Sequence, residues 1–215
     1  DNTVTGGLCG VNDCSFHAHG NGTIGHMVST YAIRLYAWSA YAFCDDSLQS
    51  TMNGYFDVDS RFEWLDKIIR PKLLELKTLQ EKISFTEQAL LKRLSDVREN
   101  TVVNDTIQNI LINKGSLDIA KLAKKSFVST RQLERLFHEY VGITPKKLSN
   151  LIRYQFLWRD ILCEPDFDVL SAVYKFGYTD QSHLLREFKR YHSMDIHNAR
   201  IMAFKDVGNI QDVFV

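Results

Sequence analysis

Two stretches, STRQLERLFHEY (129–140) and QSHLLREFKRYH (181–192), repeat one pattern fifty-one residues apart. Leu133, Arg135, Phe137 and Tyr140 of the first correspond to Leu184, Arg186, Phe188 and Tyr191 of the second. A similarity at fixed offset points to one supersecondary unit used twice. On a helix, at 100° per residue, Leu184, Phe188 and Tyr191 fall within about 60° of arc, a stripe that a core would take. Ser182, Arg186 and Lys189 then point the other way, as Arg131, Arg135 and His138 do in the first copy. Each copy therefore anchors one face and turns a cationic face outward.

The flanks of both copies carry helix punctuation. Asn104 or Asp105 is expected to start a helix that runs through Ile112, and Lys114–Gly115 to end it. A short helix over 118–125 and a cap at Ser129 lead into the first copy. Thr144 followed by Pro145 reads as a cap with proline in the first turn, opening a long helix to about Leu162. Glu164–Pro165 ends that helix, a short helix follows over 167–176, Gly177 stops it, and Asp180 caps the second copy. Short helix, tight turn and capped basic helix, twice over, make two helix-turn-helix units. Leu122, Leu133, Leu136, Phe137, Leu184, Phe188 and Tyr191 are the expected core, with Phe156 and Trp158 as packing residues on the joining helix.

The first half reads differently. Residues 1–58 hold seven of the eleven glycines and the alternating run TYAIRLYAW, so they are expected to be β-rich. Residues 59–100 switch to helical periodicity, with Phe62, Leu65 and Ile69 on one face after a cap at Asp59 or Ser60. Pro71 is expected to bend or break this helix, and a second helix to run over 76–94, ahead of a polar linker, DVRENTVVND. The chain does not begin with methionine, and it is read as a piece of a longer protein. No stretch approaches the ~18 apolar residues of a membrane span. Net charge is zero overall, but it divides into −3 for residues 1–100 and +3 for residues 101–215. The basic excess lies with the repeated unit.

LAKKSFVSTRQLERLFHEYVGITPKKL, the RYQ after it, and FGYTDQSHLLREFKRY together resemble the AraC/XylS transcriptional regulators over residues 101–204. IRLYAWSAYAF resembles the end of the cupin-like domain that some of these regulators carry. The resemblance implies a mainly α fold. A partial β-rich sensor or dimerisation segment (1–58) precedes a helical linker (59–100), an all-α double helix-turn-helix domain joined by a long helix (101–204) and a tail (205–215). It implies a cytoplasmic regulator without catalysis, whose partner is double-stranded DNA. RNA polymerase, a second copy bound through the N-terminal region, and a small-molecule effector are further candidate partners. Carried onto matching positions, the base-facing residues are Arg131, Glu134 and Arg135, then Gln181, Ser182, Leu185 and Arg186. His138 and Lys189 join them from the outward faces. The chain departs from the family pattern at Phe127, where glycine is usual, at Val173, where alanine is usual, and at Ser193, Asp195 and Ile196, where a glycine and a Ser/Thr-Pro cap are usual.

Cys9, Cys14, His17, His19, His26 and Cys44 include zinc-ligand residue types, as Cys-x4-Cys and His-x-His. The glutamate that metal-dependent cupin enzymes place shortly after such a pair is absent from HAHGNGTIGH. These residues are therefore read as scattered thiols and imidazoles, with no metal and no cofactor expected. The competing reading is a metal-dependent cupin-type enzyme or metal sensor with an attached helical module. A third is a helical half that binds protein and not DNA.

Overall fold

The computed structural model describes residues 7–14, 31–45, 48, 51–57, 61–94 and 100–205. These are mostly helical and fall into two compact units, divided between Leu94 and Asn100. Glu139–Gly142 group with the first unit, and Asp13 and Cys14 with the second.

In the first unit, strands β1 (Gly7–Cys9) and β2 (Tyr55–Asp57) pair antiparallel, with Leu8 opposite Phe56. Ala42, Phe43, Leu48, Phe62, Trp64 and Ile69 form its core. Inside that core the indole Nε1 of Trp64 donates to the Phe43 carbonyl. The alternation of TYAIRLYAW does not produce a strand in its described part: residues 31–36 are irregular, and a turn leads to a 3₁₀ helix at Ala40–Phe43. Residues 15–30, with His17, His19 and His26, lie outside the described residues, as do Asp59 and Ser60.

Pro71 does not break its helix. A π turn over Leu65–Ile69 runs directly into helix α1 (Arg70–Glu75), with proline in its first turn. The Arg70 amide reaches back five residues to the Leu65 carbonyl, so the widened turn absorbs the missing donor and the ring. The chain leaves the helix five residues later, at Leu76, whose backbone is extended. Two helices result, as expected, but the break lies beyond the proline. Helix α2 (Leu79–Leu94) then opens on a capping box, in which Thr78 Oγ1 accepts from the Glu81 amide and the Glu81 carboxylate accepts from the Thr78 amide.

The second unit holds helices α3 (Thr101–Ile112), α4 (Ile119–Lys125), α5 (Thr130–Tyr140), α6 (Pro145–Cys163), α7 (Val169–Phe176), α8 (Gln181–His192) and α9 (Ile196–Lys205). Helix α3 begins four residues earlier than its polar start suggests. Asn100 caps it by accepting from the Val103 amide, and Val103, Ile107 and Ile110 are buried on one face. Asp118, Thr144, Asp168 and Asp180 each cap the helix that follows. Leu133, Phe137, Leu184, Phe188 and Tyr191 are buried as expected, Leu122 is buried with them, and Leu136 is half-buried. Trp158 and Phe156 pack against the second copy's core.

Two glycines permit close approach at this unit's centre. Gly115, at φ +72°, ends α3 so close to α6 that a Cβ would lie 2.1 Å from the Ser149 carbonyl oxygen. Gly177, at φ +66°, ends α7, and its Cβ would lie 2.4 Å from Ser116 Oγ. Neither position admits a larger residue without movement.

The departures from the family pattern have local explanations. Phe127 adopts the left-handed conformation (φ +56°) that glycine usually supplies, and its ring is 98% exposed. Ser193 does the same at the end of α8, with φ +61°. Val173 is buried in the core with Leu184 and Phe188. Asp195 takes over the cap of α9, its Oδ1 accepting from the Asn198 amide at 3.0 Å. Left-handed backbone costs a side-chain-bearing residue roughly 1–2 kcal/mol. Phe127→Gly removes that strain and no packing, so chemical denaturation of the variant is expected to show a gain of about 1 kcal/mol. A loss would mean that the Phe127 ring contributes to stability.

Candidate nucleic-acid interface

The two copies present their outward faces from firmly started helices. At α5, Ser129 Oγ accepts from the Gln132 amide at 3.2 Å, and Gln132 Oε1 accepts from the Ser129 amide at 2.8 Å. This reciprocal pair satisfies two amides that the first turn leaves without helical partners. At α8, Asp180 Oδ1 accepts from the His183 amide at 2.7 Å. Both helices then divide cleanly. Leu133 and Phe137, or Leu184, Phe188 and Tyr191, face the core. Arg131, Glu134 and Arg135 are exposed on α5, and Gln181, Ser182, Leu185, Arg186 and Lys189 on α8, while His138 is half-buried.

What those cations touch matters as much as where they point. Arg131, Arg135, Arg186 and Lys189 have no ion pair or side-chain hydrogen bond among the described residues. Some cations away from these faces are engaged. Lys175 pairs with Asp160 and Glu164, and Arg200 donates to the Glu164 carbonyl. The outward cations are therefore available to an anionic partner without breaking an internal bond. Arginine can bind phosphate or reach guanine O6 and N7 with two parallel bonds.

Residues 122–200 match the family described as "Helix-turn-helix domain". This stretch is an AraC-type helix-turn-helix domain. Over 111 residues the chain is 26% identical to an uncharacterized HTH-type transcriptional regulator of Haemophilus influenzae. The aligned region covers 52% of this chain and 36% of that protein, so the chain spans about a third of its relative's length. No solved structure matches the chain significantly.

Within this helix-turn-helix domain, sequence reasoning missed a buried polar group behind α8. Arg153 of α6, 7% exposed, places Nη2 2.8 and 2.9 Å from the two carboxylate oxygens of Glu187. The Tyr178 hydroxyl donates to the same carboxylate at 2.9 Å, and the guanidinium lies 4.2 Å from the Tyr178 ring centroid. Burial, then the Glu187 charge, raises the Tyr178 phenol far above its usual range and keeps it a donor. The sequence hints only at the burial of Arg153, which lies in phase with Ser149 and Leu157 on α6, and nothing local names Glu187 as its partner. Cys9, Cys14 and Cys44 form no disulfide, and among the described residues no group of three or more His, Cys, Asp or Glu is placed to hold a metal ion.

The rear of α8 also carries His192. Its Nδ1 lies 2.6 Å from the Tyr154 hydroxyl, and its ring stacks on Phe188 at 5.0 Å. Burial lowers its pKa below the ordinary 6.5, so the folded domain holds it neutral. As pH falls below 6.5, the unfolded chain gains a proton that the folded one resists, and stability drops toward the folded pKa. Thermal melts from pH 7.5 to 5 are expected to lose stability more steeply in the native chain than in His192→Gln. Parallel slopes would remove His192 from the account. Asp180→Ala is expected to lower stability by about 1 kcal/mol through loss of the cap, measured by denaturant titration.

Proposed function

We propose that the chain is a sequence-specific, double-stranded-DNA-binding transcriptional regulator that reads two successive major grooves with α5 and α8. The observation that carries this reading is the pair of exposed faces whose arginines and lysine are uncommitted, each on the second helix of a helix-turn-helix unit. Arg131, Glu134, Arg135 and His138 form one reading face; Gln181, Ser182, Leu185, Arg186 and Lys189 form the other. Arginine is suited to guanine, glutamate to the cytosine amino group, and Leu185 to a thymine methyl. The relative's name, a transcriptional regulator, agrees with this reading. The N-terminal region is assigned the sensing of an effector or homodimerisation, and RNA polymerase is the downstream partner.

Spacing supports reading by one chain. The nineteen residues of α6 span about 28 Å at ~1.5 Å each. Neighbouring major-groove faces lie ~34 Å apart, a separation the helix reaches once the flanking units are added. The site is therefore asymmetric and roughly 15–20 base pairs long. Because the faces differ in sequence, its two half-patterns differ as well. Selecting bound DNA from a random pool, then footprinting the chain on the winning site, tests this. Two protected segments one turn apart are expected, whereas a single segment or a palindrome bound only by two chains would refute it.

Arg135→Ala and Arg186→Ala are each expected to weaken binding to the selected site by roughly 1–3 kcal/mol if each reads a base. An equal loss on random DNA would reassign them to phosphates. Affinity is expected to fall steeply with salt, as phosphate neutralisation requires. An affinity indifferent to salt would favour a protein partner.

A further inference from the structure

We infer that Arg153 and Glu187 are positioning residues that hold α8 at a single orientation on α6, and so fix the second reading face relative to the first. Their bond joins the linking helix to the reading helix from behind, on the side away from Arg186 and Lys189. The same stretch of α6 receives the loop between α3 and α4, which leads into the first helix-turn-helix unit. Ser149 Oγ, one turn before Arg153, donates to the Gly115 carbonyl at 2.7 Å, and the Gly115 Cα lies close against the Arg153 backbone. The loop continues to Ser116, which meets Gly177 at the turn into α8. One helical turn of α6 thus carries contacts to α8 and to the loop that enters the first helix-turn-helix unit.

The chemistry of the pair suits orientation more than adhesion. Apolar contacts alone tolerate sliding, because burial has no direction. A guanidinium nitrogen shared by two carboxylate oxygens, with a phenol on one of them, accepts only a narrow range of angles. Arg153 also keeps a buried Nε with no hydrogen-bond partner among the described residues. A well-packed apolar pair would fill this space without that penalty. Glu187 is half-buried and turned from the exposed face, so its role is exerted through α8 and not by touching DNA.

The test compares the full chain with the double substitution R153M/E187L, which replaces the pair by apolar groups of similar volume and is expected to fold. The conservative R153K, which keeps the charge but loses the planar fork, is a second variant. The first arm needs no DNA. Spin labels at Lys124 on α4 and Ser182 on α8, with the native cysteines changed to serine, report the distance between the two units. One narrow distribution is expected for the native pair, a broad or split one for R153M/E187L, and an intermediate one for R153K. An unchanged distribution in the folded variants would overturn the inference. The second arm rests on the two-groove reading and uses unlabelled protein on the selected site, with one base pair inserted between the halves. That insertion moves the second groove by about 3.4 Å and turns it by about 35°. The native chain is expected to lose roughly 100-fold in affinity, the contacts of one unit, and R153M/E187L about tenfold or less. Equal losses would also overturn the inference. A native chain indifferent to the insertion would refute the two-groove reading and leave the distance arm to decide the role of the pair.

Discussion

The second unit depends on one helix being buried from both ends. Along α6, Leu148 and Ile152 are buried in its first half, and Leu157 and Ile161 in its second. Helix α3 packs on α6, as do α7 and α9, and the second copy's core takes in Leu157 and Ile161 of this helix. Between the apolar residues lie three buried polar ones, and each has its partner. Ser149 meets the Gly115 carbonyl, Arg153 meets Glu187, and Asp160 meets Lys175. Unpaired, such groups would destabilise the domain strongly, because a buried charge without a counter-charge costs about 3–5 kcal/mol. The polar contacts therefore select one arrangement of helices among the several that the apolar stripe alone would permit.

Much of this was legible in the sequence because it is local. The stripe Leu184–Phe188–Tyr191, the caps at Asp180 and Thr144, and the stop at Gly177 each depend on residues within one or two turns. What the sequence hid depends on distant partners. Asn100 starts α3 in a stretch that looks polar, because burial of Val103 and Ile107 outweighs the composition around them. Pro71 sits inside a helix because a π turn makes room for it, and no residue in the sequence announces a π turn. TYAIRLYAW alternates as a strand does, yet alternation describes only a face, and a strand also needs a neighbour for its backbone. Periodicity alone turned Arg131, Arg135, Ser182, Arg186 and Lys189 outward, where they are exposed, while Glu134, Gln181 and Leu185 came from the family resemblance. The Arg153–Glu187 bond, thirty-four residues apart in the chain, was not.

The two copies also diverge in how they would use a common frame. Helix α5 sets Arg131 and Arg135 beside Glu134, whereas α8 sets Arg186 and Lys189 beside Leu185 with no exposed acid among its reading positions. A carboxylate near a phosphate backbone is repelled unless it finds a donor such as the cytosine amino group. On the proposed reading, the first face therefore gains little from random DNA and binds well only where a base rewards Glu134. The second face is attracted to any duplex by its uniform positive charge. Specificity by exclusion and affinity by attraction are different tasks, and a rigid joint lets one chain combine them. The second helix-turn-helix would hold the duplex while the first tests its sequence, which requires that the distance between them not adapt to a wrong site. The demand for a fixed joint follows from the asymmetry of the two faces.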